Sequence, residues 1–172
     1  MENEKILVIP RPRVKTKVLV FFGLLSIGTI LPSLIHSQFV TGPIINAVLF
    51  LSTFLLGPFE AVLIGIIPST VALSSGLLPL PLAPMVPFIM IGNVILIGTF
   101  HYTRSKSFVG AVILSSILKF AFLFSIVTLL MNTMLQEALV AKLSIMMSWP
   151  QLITALIGGL IAFIILKNLK KL

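Results

Sequence analysis

The chain contains no cysteine, and charged residues fill only 9% of its 172 positions. The first absence excludes disulfides, thiolate zinc sites and cysteine-held iron–sulfur clusters within the chain. The second is more informative, because a soluble domain carries roughly 25% charged residues. With 58% of residues apolar, most of the chain has no need of water as its solvent. Acids are scarcest, numbering four: Glu2, Glu4, Glu60 and Glu137. No carboxylate pair, His-x-x-His-type spacing, nucleophile beside a base, or phosphate-binding loop occurs, so the chain is not expected to be an enzyme. No cofactor is called for.

A membrane-spanning helix uses about 20 residues, and six apolar runs of roughly that size fill the chain. They cover residues 18–35, 43–56, 59–77, 85–102, 108–134 and 149–166. The expected fold is therefore an all-α integral membrane protein, a compact bundle of about six transmembrane helices over residues 18–166. A basic tail, residues 1–17, precedes it, and a second, residues 167–172, follows. No cleavable signal peptide is expected, since the first apolar run starts only near Val18 and no small-residue cleavage pattern follows it. Pro43 suits the first turn of the second span, and Gly57-Pro58 separates the second span from the third. Leu78 to Pro84 holds three prolines and is predicted to be a stiff, non-helical connection. Gln136 to Lys142 is polar, with a composition that permits an interfacial helix.

The net charge is +8, yet no basic stripe interleaved with aromatics suggests nucleic acid. The basic residues instead report orientation. Lys5, Arg11, Arg13, Lys15 and Lys17 precede the first span, Arg104 and Lys106 separate the fourth and fifth, and Lys167, Lys170 and Lys171 follow the sixth. With six crossings all ten fall on one face, leaving Lys119 and Lys142 apart. The positive-inside rule makes that face cytoplasmic, so both termini are expected inside.

Ionisable groups at membrane depth are costly and are functional candidates by default. Lys119 is the only one well inside a predicted span. It can contact an anionic substrate or partner, or snorkel toward the interface. Asn93 and Asn46 offer donors and acceptors in a dry setting, and each can equally tie helices together. Near the predicted outer surface lie His36, Gln38, Thr41, Asn132, Ser148, Trp149 and Gln151. Trp149, the single tryptophan, fits both interfacial anchoring and stacking on a ligand ring. His36 and His101 are expected on opposite faces and cannot share a metal. No carboxylate is predicted at mid-membrane, which argues against a stand-alone proton-coupled pump. Small residues recur at Ala61, Gly65 and Ser69, and again at Ala155, Gly158, Gly159 and Ala162, as close helix packing or a docking face requires.

Six spans with both ends inside, and the turn Leu56-Gly57-Pro58-Phe59-Glu60-Ala61-Val62-Leu63-Ile64-Gly65, resemble the substrate-binding S components of energy-coupling factor (ECF) vitamin transporters. By motif the resemblance covers Pro43 to Tyr102. It differs in the first span, where Gly23 to Gly28 lacks that family's Ala-x-x-x-Ala face, and in the third, where Pro68-Ser69 replaces an acidic residue. The resemblance implies a binding subunit in a prokaryotic cytoplasmic (inner) membrane that captures a vitamin or precursor. Its partners would be a transmembrane coupling subunit and two ATPases. The implied substrate contacts are Asn93, Asn132, Trp149 and Gln151, with His36 or Gln38 as a lid and Lys119 as a further contact. A cationic substrate would want a carboxylate or several aromatic walls, so a neutral or anionic molecule is expected. Two other readings fit the same composition: a cofactor-free anchor subunit of a redox or hydrogenase-like complex, and an independent small transporter or channel.

Overall fold

A computed structural model of the protein describes residues 14–35, 37–74, 80–131 and 147–172. These residues form six α-helices: α1 (Val14–Leu34), α2 (Gln38–Leu55), α3 (Pro58–Ser74), α4 (Val86–Thr103), α5 (Phe108–Met131) and α6 (Trp149–Asn168). Among the described residues there is no strand. Four helices, α1, α4, α5 and α6, are long and apolar enough to cross a membrane, which marks the chain as a helical membrane protein. The apolar stretches of α2 and α3, Phe39–Leu55 and Pro58–Thr70, are shorter. The segment Gln136 to Lys142 lies outside the described residues.

Three boundaries correct the expectations from sequence. The first helix starts at Val14, a turn ahead of the apolar run, because Lys15 and Lys17 are good helix formers whose stems tolerate an apolar surface. The second helix starts at Gln38, so Pro43 lies within it rather than in its first turn. Ser37 holds the extended backbone of an N-cap, and its carbonyl accepts from Thr41 N at 2.9 Å, opening the helix ahead of the proline. Residues Leu80–Met85 of the proline-rich connection form a 3₁₀ helix instead of a non-helical link. That tighter spiral is a common short connector.

The turn from α2 to α3 depends on Gly57, whose φ of +124° is a conformation that side-chain-bearing residues rarely adopt. Its N–H bonds back to Ser52 O at 3.1 Å, and Pro58 then opens α3 where no N–H is needed. This turn, the α4–α5 turn with Arg104 and Lys106, and the end of α6 with Lys167 share one end of the bundle, here the basic end. Arg104 spans that end: Nη1 donates to Thr53 O at 3.0 Å, and the guanidinium lies 5.1 Å from the Phe54 ring centre. Burial pulls its guanidinium below the ordinary range, and it stays charged at neutral pH. Phe50, Phe54, Phe100, Phe108 and Phe163 meet beside it, with centroids 4.9–6.2 Å apart, knitting α2, α4, α5 and α6.

Lipid tails are as apolar as leucine, so helices cohere where small residues let backbones approach. Both small-residue stripes serve this purpose inside the bundle. A Cβ on Gly158 would lie 2.7 Å from Asn46 Cβ and 2.7 Å from Pro43 O, and one on Gly159 would overlap Val112. Gly65 makes a looser approach, where a Cβ would meet Leu49 Cδ2 at 3.2 Å and Asn93 Cβ at 3.5 Å. Ala61, Ala155 and Ala162 are fully buried, so these stripes are not outward docking faces. The apolar interior falls into two clusters. The larger, with Leu49, Phe50, Ile64, Leu96, Phe100 and Leu166, fills the basic half. The smaller, Met85, Leu123, Val127 and Met147, lies toward the opposite end.

Candidate functional site

Where the two clusters meet, α2, α4 and α5 each contribute one polar side chain. Lys119 lies halfway along α5 and is 3% exposed; Asn46 and Asn93 are 2% and 3% exposed. A helix rises about 1.5 Å per residue, so Lys119 lies roughly 16 Å above Phe108 and Asn93 roughly 15 Å above Thr103. That rise is about half the thickness of a hydrocarbon layer of about 30 Å.

Lys119 Nζ donates to Asn46 Oδ1 at 2.7 Å and to Asn93 Oδ1 at 2.8 Å. Both amides are anchored from behind. Asn46 Nδ2 donates to Gly42 O at 2.9 Å, and Asn93 Nδ2 donates to Gly65 O at 3.3 Å. An amide nitrogen only donates and its oxygen only accepts, so these anchors turn each Oδ1 toward Lys119.

The ammonium has no carboxylate partner among the described residues. The single described acid, Glu60, is in the first turn of α3 at the basic end. Two amide dipoles offset part of the cost of burying the charge, but among the described residues no opposite charge completes the site. A third polar group lies close by on α5. Side chains on a helix lean toward its N-terminus, so Lys119 extends over the turn that carries Ser115 and Ser116. Ser115 Oγ donates to Ala111 O at 2.7 Å, whereas Ser116 Oγ, on a residue with no exposed surface, has no hydrogen-bond partner. With Lys119 protonated, the arrangement can receive an acceptor group: one ammonium hydrogen and the Ser116 hydroxyl are unassigned.

Of the residues singled out by sequence, Asn93 and Lys119 meet in this node. Trp149 and Gln151 do not. They lie at the start of α6, about 10 to 14 Å along its axis from Gly158, the residue that packs on Asn46. Trp149 is 54% exposed, with its ring 5.9 Å from that of Phe39, and Gln151 Nε2 approaches Met147 Sδ at 3.8 Å. His36 and Asn132 lie outside the described residues, as does the side chain of Gln38, the first residue of α2. Asn46, legible from sequence as a helix tie, is a full partner of Lys119. Ser116 drew no attention in the sequence, although its place three residues before a buried lysine was the available signal. No group of three or more histidines and acids that could hold a metal occurs among the described residues.

Comparison of the chain with family models, curated proteins and solved structures gives no match.

Proposed function

We propose that the chain is a membrane-embedded substrate-binding subunit for uptake of a small micronutrient, a vitamin or its precursor. It works with an ATP-driven coupling module, as the S components of ECF vitamin transporters do. The observation that carries this reading is the Lys119–Asn46–Asn93 node. A helix tie made of two asparagines would hold the bundle as well, without a cation at mid-depth. Polar groups kept there despite their cost mark ligand or ion positions.

In this reading all six helices cross a prokaryotic cytoplasmic membrane, with both termini inside. The shorter α2 and α3, about 27 and 25 Å long, complete the crossings as a hairpin turned at Gly57. The basic residues at the basic end then face the cytoplasm. The chain catalyses nothing itself, and the ATPases belong to partner subunits.

The test is affinity purification of the tagged chain from its native membrane in mild detergent, with mass spectrometry of what accompanies it. Recovery of two ABC-type ATPases and a coupling membrane protein supports the proposal. Recovery of redox subunits would replace it with a cofactor-free anchor. Flux through the purified chain alone would replace it with an independent transporter.

A further inference from the structure

We infer that the Lys119 node receives the carboxylate of a singly charged organic acid whose apolar body lies on the side away from the basic end. The inference rests on the binding-subunit reading and names its substrate class. Charge is the first ground. A lone cation held by two neutral oxygens, with no described acid beside it, is completed by one negative charge. A dianion such as phosphate would leave one charge unneutralised at mid-depth.

Donor geometry is the second ground. Both Asn Nδ2 groups are committed to backbone carbonyls, so they cannot also serve a ligand. An ammonium has three hydrogens and two are used, leaving one. The buried, unpartnered Ser116 hydroxyl on the adjoining turn supplies a second donor. Three residues apart on α5, the two groups lie on neighbouring turns of one helix face, where two donors can serve the two oxygens of a carboxylate.

The layer above the node sets the rest of the ligand. Leu123 stands one turn beyond Lys119 and packs on Gly92, where a Cβ would meet its side chain at 3.3–3.4 Å. With Met85, Val127 and Met147 it forms the small apolar cluster on that side. Two of these four are methionines, whose unbranched side chains re-pack more readily than branched ones. An apolar ligand body can take up space in this layer, and no described charged group lies there to meet a second polar end.

The experiment is a thermal-shift and calorimetric titration of the full chain in nonionic detergent. Its probes are matched acids and amides: biotin and its amide, lipoate and lipoamide, nicotinate and nicotinamide. At least one acid should raise Tm and bind, while its amide binds at least tenfold more weakly. Lys119→Met should abolish the acid's effect. Ser116→Ala loses no hydrogen bond in the free protein and removes an unsatisfied buried hydroxyl, so its unliganded Tm should equal or exceed that of the unmodified chain while acid affinity falls about fivefold to tenfold. Should Lys119→Met fail to fold, Ser116→Ala with the acid–amide pairs carries the test. Equal binding of acid and amide, unchanged acid affinity in Ser116→Ala, or no binding by any probe overturns the inference. The purification experiment uses no ligand, so recovery of the ATPases alongside such a result would retain the binding subunit and discard the carboxylate.

Discussion

Replacing Gly158 with alanine probes a close approach of α6 to the backbone of α2, beside Asn46 of the polar node. The added methyl would stand 2.7 Å from Asn46 Cβ, 2.7 Å from Pro43 O and 2.8 Å from Ala47 N. Two of these three atoms are backbone, so no rotamer change relieves them. Ordinary contact begins near 3.4 Å, and α2 must therefore withdraw by about 0.6 to 0.7 Å. Overpacking of this kind costs about 1–3 kcal/mol. A glycine-to-alanine change also favours a helix by up to about 1 kcal/mol, which would mask part of the loss. Gly98→Ala supplies the correction, because nothing lies within 4 Å of its added methyl. The difference between the two variants should then be about 1–3 kcal/mol, or roughly 2 to 12 °C in Tm for a chain of this size. Thermal unfolding in detergent, followed by far-ultraviolet circular dichroism, measures it. Trp149 gives a second readout, since its contact with Phe39 joins α6 to α2. Withdrawal of α2 would also stretch the 2.7 Å bond from Lys119 to Asn46 beyond the usual charge-assisted range. Equal Tm values for Gly158→Ala and Gly98→Ala would refute the close approach on which the node's geometry depends.

Asn46→Leu and Asn93→Leu each remove an acceptor from the buried ammonium, and each should destabilise by about 1.5–3 kcal/mol in chemical or thermal unfolding. A loss no larger than the average of about 0.6 kcal/mol for interhelical bonds in membranes would show that no buried charge is being held. Arg104→Lys should fail to restore what Arg104→Ala loses, because lysine lacks the planar group that reaches Thr53 O while lying on Phe54; full recovery of Tm in the lysine variant would contradict that contact. The cysteine-free chain permits a direct topology test: Ser105→Cys and Lys170→Cys should react with an impermeant maleimide only after the cytoplasmic face is opened, and Ser37→Cys from outside in intact cells. Labelling of Ser37 and Ser105 from the same side would exclude the six-crossing arrangement.

Much of the scaffold was legible before any coordinates, because bilayer chemistry writes itself into composition. Apolar runs near spanning length, broken at Gly57-Pro58 and at Thr103 to Ser107, marked most of the helices. The boundaries at Val14 and Gln38 escaped because hydropathy reports where the chain is apolar, whereas a helix starts where its first carbonyls find donors. The site was legible only in part. A lone lysine in an apolar run announces itself, and Asn93 and Asn46 were visible as polar interruptions. Their convergence was not, since sequence spacing says nothing about which faces of three helices meet.

Sequence by itself determined the solvent of this protein, its helical class, the absence of thiol chemistry and the concentration of basic residues in tails and one loop. These follow from residue counts and local order along the chain. Tertiary structure decided that both small-residue stripes point inward, that Trp149 and Gln151 stand apart from Lys119, and that two amides turn their oxygens onto one ammonium. The physical reason is that burial and hydrogen-bond direction depend on how helices rotate against one another. That rotation is fixed by contacts such as Gly158 on Asn46, between residues more than a hundred positions apart.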